Sequence, residues 1–223
     1  MSATRRSPIP SESYPAFGRG DKRSPLPSVP QSSLDLQPID WTGLPTRFMP
    51  PADMAPLVAL VRSVSPRHVI EFGVNVGRTA KAILANVPGI EHYTGIDVPL
   101  TYVPLLALQL DNAVPNPGEM VLDDPRFKLI VSARGSLDLT PDDLAPCDAA
   151  FIDGDHGLEA VIHDTMLARA LVRPGGIIVF HDYHPLGVVD VKAALDGMHR
   201  AGDPIYRVDD TWLAFERRHS VDA

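Results

Sequence analysis

The chain has 223 residues, 44% of them apolar, and a formal net charge of -8. That is material for one full core and too little for two comfortable domains. The negative balance argues against a sequence-independent nucleic-acid binder, which needs a basic face to displace counterions from phosphates, and favours a small or neutral molecule as partner.

Cys147 is the single cysteine, so no intramolecular disulfide can form. The first residues lack the apolar core of a secretory signal, and no apolar run approaches the ~20 residues of a membrane span. A cytoplasmic protein with no membrane partner is therefore expected.

Residues 1–51 hold ten of the twenty-three prolines, many serines and no helical or strand periodicity. Such a stretch cannot bury enough surface to order itself and is expected to be a flexible Pro/Ser-rich arm. The alternative is that Tyr14, Phe17, Trp41 and Phe48 dock on a partner subunit, giving a homo-oligomer, or cover the site. From residue 52 to 223 the pattern becomes one of helices alternating with short apolar strands, the mark of a parallel sheet covered on both faces.

In chain order this domain predicts a helix at 52–64, a strand at 68–72, a helix at 78–86 and a strand at 92–97. A helix at 103–112 and strands at 127–131 and 149–153 follow, then a helix at 158–171 and a strand at 177–181. A helix at 188–199 leads to 205–208 and 212–216, two β-rich runs that read as a closing antiparallel pair. The sum is a doubly wound, seven-stranded, mostly parallel α/β sheet.

The run Glu71-Phe72-Gly73-Val74-Asn75-Val76-Gly77-Arg78-Thr79 puts an acid at a strand's end, then two spaced glycines, then a helix start. Ligands bind at this place in open α/β sheets. Gly73 lets the backbone turn and approach a ligand, and Gly77 is expected to let the helix pack closely on the strand. A dinucleotide site would favour Gly-x-Gly-x-x-Gly with no acid beside the pyrophosphate. Glu71 would repel phosphate but attract a sulfonium or amino group. Asp97, closing the next strand, lies at the distance expected of a ribose-binding acid, although an acid after a strand often serves only as a cap.

Together with Phe151-Ile152-Asp153-Gly154-Asp155-His156 and Arg173-Pro174-Gly175-Gly176, these segments resemble the class I S-adenosylmethionine-dependent methyltransferases. Over residues 52–216 the chain is most similar to small-molecule O-methyltransferases of the catechol, caffeoyl-coenzyme A and macrocin types. The resemblance implies a Rossmann-like methyltransferase fold with S-adenosylmethionine as cofactor. It puts Glu71 and the backbone at Gly73 by the methionine moiety, Thr79 near its carboxylate, Asp97 on the ribose, and Gly135, Ser136 and Leu137 at the adenine, with Gly77 also counted in the cofactor site. Asp153 borders the same cofactor. The Arg-Pro-Gly-Gly turn carries no catalytic role, since proline and glycine make such turns anywhere.

Methyl transfer to a hydroxyl is an in-line displacement, so acceptor and donor must be aligned and the oxygen made more nucleophilic. A base or a metal does the second job. Asp153 and Asp182 end adjacent strands, a start for a hard cation such as Mg²⁺ or Mn²⁺. In the metal-dependent relatives acids at both positions hold the ion, and the neighbouring ligand falls here on His181 or Tyr183. His181 shifts the preference away from Mg²⁺ or merely caps the strand.

His156 stands where the macrocin type carries histidine, and an imidazole is a competent base at neutral pH. Its bland alternative is a helix cap, as Asp155 is either an orienting acid or part of a capping turn. His163 and Asp164 are expected to be solvated, and His184 to line the acceptor pocket. Two other classes stay open: an assembly protein that uses its arm, and a metal-dependent hydroxylase-like relative.

Overall fold

The computed structural model describes residues 24–44, 51–104 and 114–219. The chain enters with a two-residue strand β1 (Ser28–Val29), then α1 (Pro51–Arg62), β2 (His68–Phe72), α2 (Arg78–Asn86) and β3 (His92–Asp97). It continues through β4 (Phe127–Val131), β5 (Cys147–Ile152), α3 (Leu158–Leu171), β6 (Val172–Phe180), α4 (Val189–Arg200), β7 (Ile205–Val208) and β8 (Ala214–Arg217). The sheet order is β1-β7-β8-β6-β5-β2-β3-β4, with β8 antiparallel to both its neighbours and every other pair parallel.

Period-2 burial explains the two covered faces. Val69, Phe151, Ile177 and Val179 point to one side and pack with Leu57 and Val61 of α1 and Ile83 of α2. Ile70, Phe72, Ile178 and Phe180 point to the other and pack with Leu167 and Leu171 of α3 and Leu195 of α4. Each such side chain, fully buried, contributes roughly 1.5–3 kcal/mol by the transfer of its apolar area. Strands buried on both faces read as continuous apolar runs, which is why their positions were plain in the sequence.

Among the described residues the sheet has eight strands where the sequence predicts seven. The extra strand, β1, lies within the expected arm: Arg207 and Asp209 on the outer edge of β7 donate N–H groups to the carbonyls of Pro27 and Val29 at 3.0 and 2.9 Å. Two residues among prolines carry no periodicity, so the pairing had no sequence signal. Leu26 is buried, and the Ser24 hydroxyl meets the Tyr183 hydroxyl at 2.5 Å, anchoring the segment. Trp41 also lies on the domain, with the Arg78 guanidinium 6.0 Å from its ring centre. Tyr14, Phe17 and Phe48 fall outside the described residues, as does the expected helix over 103–112 from residue 105 on.

The Arg173-Pro174-Gly175-Gly176 turn is an excursion within β6, because Val172 already pairs with Cys147 before the ladder resumes at Ala149 and Ile177. Among the described residues no helix is long and apolar enough to cross a membrane. From β2 the chain moves outward through β3 to β4, then returns to β5 on the other side of β2. The crevice between the ends of β2 and β5 is thus a topological switch point, where ligands bind in such sheets.

Candidate active site

Gly73 and Asp153 leave β2 and β5 side by side. The Asp153 N–H donates to the Phe72 carbonyl at 2.8 Å, and a Cβ on Gly73 would stand 2.2 Å from the Asp153 carbonyl oxygen. With φ at +86°, this position requires glycine on both counts. Gly77, φ +87°, does something other than expected: a Cβ there would lie 2.9 Å from Val121 Cγ2 and 3.1 Å from Gly118 Cα. Its bareness admits the segment after residue 114, not a closer seat of α2 on β2. Gly118 N–H and Met120 N–H donate to the Asn75 and Val76 carbonyls at 2.7 and 3.0 Å and hold that segment on the loop.

Asp97 organises the same loop. One carboxylate oxygen accepts from the N–H groups of Val74 and Asn75 at 2.9 and 2.7 Å, and the other from Val98 N–H at 2.6 Å. Burial nevertheless holds its pKa above the ordinary carboxylate value, outweighing those three bonds. Thr79 is buried in the first turn of α2 and faces the cavity.

Glu71 is placed differently from the sequence expectation. Sharing the face of Val69, it is 1% exposed, accepts from the Tyr93 hydroxyl at 3.0 Å, and does not line the cavity. Desolvation pushes its pKa well up, with the charges of Asp153 and Asp97 adding to the effect. It is a buried acid beneath the loop, one residue too early for its side chain to reach the crevice.

Gly135, Ser136 and Leu137 form a 3-10 turn after β4 that closes the cavity beyond Asp97. Gly135 approaches that acid closely: a Cβ on it would lie 3.0 Å from Val98 Cγ1 and 4.0 Å from the Asp97 carbonyl oxygen. His163, expected in solvent, faces the Ser136 carbonyl through Nε2 at 2.9 Å. Asp164, also expected in solvent, is 1% exposed and lines the cavity. Its place on the α3 stripe with Ala160, Val161, Leu167 and Ala168 is the periodic signal that would have found it.

At the other end of the cavity lie the histidines and acids. Asp182 follows β6 with φ +60°, a conformation rare outside glycine, asparagine and aspartate. His156 Nε2 is 3.0 Å from Asp182 Oδ2 and 3.6 Å from Asp153 Oδ1. His181 turns Nδ1 toward Asp153 Oδ1 and Asp182 Oδ1 at 3.4 and 3.5 Å, and Nε2 toward Asp53 Oδ2 of α1 at 3.3 Å.

Asp153, His181 and Asp182 each offer a ligand atom, all within 4.8 Å of one another. Although burial opposes charge at Asp153, His181 and His156 hold its carboxyl well below the carboxylate range. The same pairing raises both histidines against their own burial, His181 strongly.

His156 is not a helix cap, because Gly157 holds the N-cap of α3 and no side chain caps it. Asp155 belongs to the capping turn: it accepts from Gly157 N–H at 2.7 Å and from the Tyr102 hydroxyl at 2.5 Å. His184 stacks on Trp212, ring centres 4.9 Å apart, and it is Trp212 that lines the cavity. Asp53 escaped the sequence reading because an acid in a helix's first turn is ordinary, and only folding carries it across 128 positions to His181. The two ends share one cavity of about 1120 Å³.

The sequence family described as a methyltransferase domain matches residues 70–183, the span from β2 to the residue after Asp182. No curated protein matches the chain. Among solved structures, cofactor-bound Rv0187 from MTB is similar at 21% identity and a TM-score of 0.52, over 80% of this chain and 85% of that one. The O-methyltransferase TomG from Streptomyces achromogenes, in complex with SAM, shows 16% identity and a TM-score of 0.53 over 85% and 94%. The O-methyltransferase from Bacillus cereus in complex with SAH shows 18% and 0.50 over 78% and 83%. At such identities the likeness is one of fold.

Proposed function

The chain belongs to the methyltransferase-domain family, and on that premise we propose that it moves a methyl group from S-adenosylmethionine to a hydroxyl of a small molecule, with His156 as base. One observation carries the reading: the glycine loop and the His156–Asp182 pair open on the same cavity, at the switch point of the sheet. Residues 52–223 form the catalytic domain in this reading, and the solved neighbours that hold SAM or SAH support the choice of cofactor.

The methionine moiety lies over Gly73 and Thr79. Asp97, whose oxygens already order the loop, offers its remaining lone pairs to the ribose hydroxyls. The base falls on the turn at Gly135, Ser136 and Leu137, next along from the ribose. When bound, the sulfonium cofactor supplies an activated methyl for in-line displacement.

At the opposite end the His156 imidazole takes the acceptor's proton. Asp182 and Asp153 balance the imidazolium that results, which is the physical meaning of the raised pKa of His156. Asp153, Asp182 and His181 fit a divalent ion, since two carboxylates and an imidazole converge within 4.8 Å. Such an ion would act as a Lewis acid on the acceptor oxygen, and the imidazole favours Mn²⁺ over Mg²⁺.

Calorimetric titration with S-adenosylmethionine and S-adenosylhomocysteine, with and without Mn²⁺ or Mg²⁺, tests the cofactor without any acceptor. Micromolar binding is expected. Absence of binding under every condition would overturn the reading.

A further inference from the structure

One buried acid at the rim has no part in the chemistry above. Asp53, in the first turn of α1, is 1% exposed, and its two oxygens meet donors 128 and 159 positions away in the chain. Oδ2 faces His181 Nε2 at 3.3 Å, and Oδ1 accepts from the Trp212 N–H at 3.3 Å. His181 belongs to the candidate metal triad, and Trp212 lines the cavity. A single carboxylate thus ties the cavity wall to the triad. Its platform is firm, since Met54, Leu57 and Val58 of the same helix are buried in the core.

The two nitrogens of His181 face different groups. Nδ1 is turned to Asp153 Oδ1 and Asp182 Oδ1 at 3.4 and 3.5 Å, while Nε2 points to Asp53. Turning the ring over by half a turn about its bond to Cβ would exchange each nitrogen for a carbon. Asp153 and Asp182 would then face Cδ2, which is no ligand, and Asp53 would face Cε1. The ring is buried and packs edge to face on Phe151, with centres 6.3 Å apart, but an apolar neighbour does not tell the two orientations apart. A carboxylate does. A hydrogen bond from one ring nitrogen to a fixed acceptor sets both the tautomer and the orientation, and so decides which nitrogen is left for an ion.

We propose that Asp53 is a positioning residue for a divalent ion: it accepts the Nε2–H of His181 and leaves Nδ1 to bind the ion together with Asp153 and Asp182. The inference rests on the metal-assisted part of the function proposed above. Asp53 itself touches neither the ion nor the acceptor.

Mn²⁺ alone, titrated calorimetrically into the full chain, is the probe, because it needs neither cofactor nor acceptor. The wild type is expected to bind it, and His181→Ala to lose most of that affinity. Asp53→Ala and Asp53→Asn should each weaken binding by about 10- to 100-fold, the usual effect of removing the partner of a metal-bound histidine. Asparagine fails as well because it keeps one oxygen where two are used. Thermal unfolding without metal shows that each variant is folded.

The binding nitrogen is read from the wild type itself, so the test survives a variant that does not fold. With isotopically labelled histidine and Zn²⁺ as the ion, the magnetic resonance signals missing from His181→Ala should show the metal on Nδ1 and a proton on Nε2. Coordination through Nε2, or Mn²⁺ binding unchanged in both Asp53 variants, would overturn the assignment alone. Failure of the wild type to bind Mn²⁺ would remove the metal reading and this assignment with it.

Discussion

The two ends of the cavity are built by opposite means. The loop end, Gly73 to Gly77 with Asp97, is made of backbone: amides bond to one carboxylate, and two positions work because they carry no side chain. The rim end, Asp53, Asp153, His156, His181 and Asp182, is made of titratable side chains from three separate stretches of chain, held by mutual charge. The contrast teaches that a substitution at the loop should act through shape, and one at the rim through charge and protons.

Gly73→Ala tests the shape half most severely. A methyl group 2.2 Å from a backbone oxygen at positive φ has nowhere to go, and the sheet edge must move. Loss of measurable cofactor binding and a fall in unfolding temperature are expected. A variant that binds normally would break the contrast.

His156→Ala tests the other half. Turnover should fall by about 10²- to 10⁴-fold, the usual contribution of a positioned base, while the affinity for S-adenosylhomocysteine stays within about threefold. Parallel loss of both would show that the rim shapes the cofactor site too.

Asp164 sharpens the comparison, since it is an acid on the loop side with no cation among the causes of its shift. Its folded pKa of about 7 exceeds the model-compound value of 3.8, so the folded state holds a proton that the unfolded chain releases. The stability this group allows is complete below about pH 4 and is lost as pH rises through 7, on the order of 4 kcal/mol in the limit. Asp164→Asn should therefore match the wild type in chemical denaturation near pH 4 and be the more stable protein at pH 8. An equal advantage at both values would contradict the burial account.

The smallest effect is expected at Asp97. Asp97→Ala removes charge-assisted bonds worth roughly 1.5–3 kcal/mol, read as weaker S-adenosylhomocysteine binding with turnover at saturation little changed. A fall in saturated turnover instead would move Asp97 into the chemistry.

Much of the loop end was legible. Gly73, Gly77 and Asp97 are set by sequence spacing, and the strands that carry them are buried on both faces, so their apolar runs are plain. Glu71 shows the limit: its type and position looked right for the cofactor, but the parity of β2 turned it to the α1 and α2 face, beneath Tyr93. At the rim Asp153, His156, His181 and Asp182 were legible as residues but not as a network, and Asp53 was not legible at all. Charges interact through space, and nothing local in a first-turn aspartate records that it will meet a histidine 128 positions away.

By itself the sequence determined the alternation of helices and strands, the two-faced sheet, the glycine loop and the family, because periodicity and backbone permissiveness are local properties written residue by residue. Only the tertiary structure decided that part of the proline-rich segment completes the sheet edge at β7, that Gly77 makes room for residues 118–121, and that Asp164 is buried beside the cavity, its Oδ1 without a hydrogen-bond partner among the described residues. Those outcomes depend on which surfaces meet when distant segments pack, and a buried group's partners are fixed only when the last of those segments is in place.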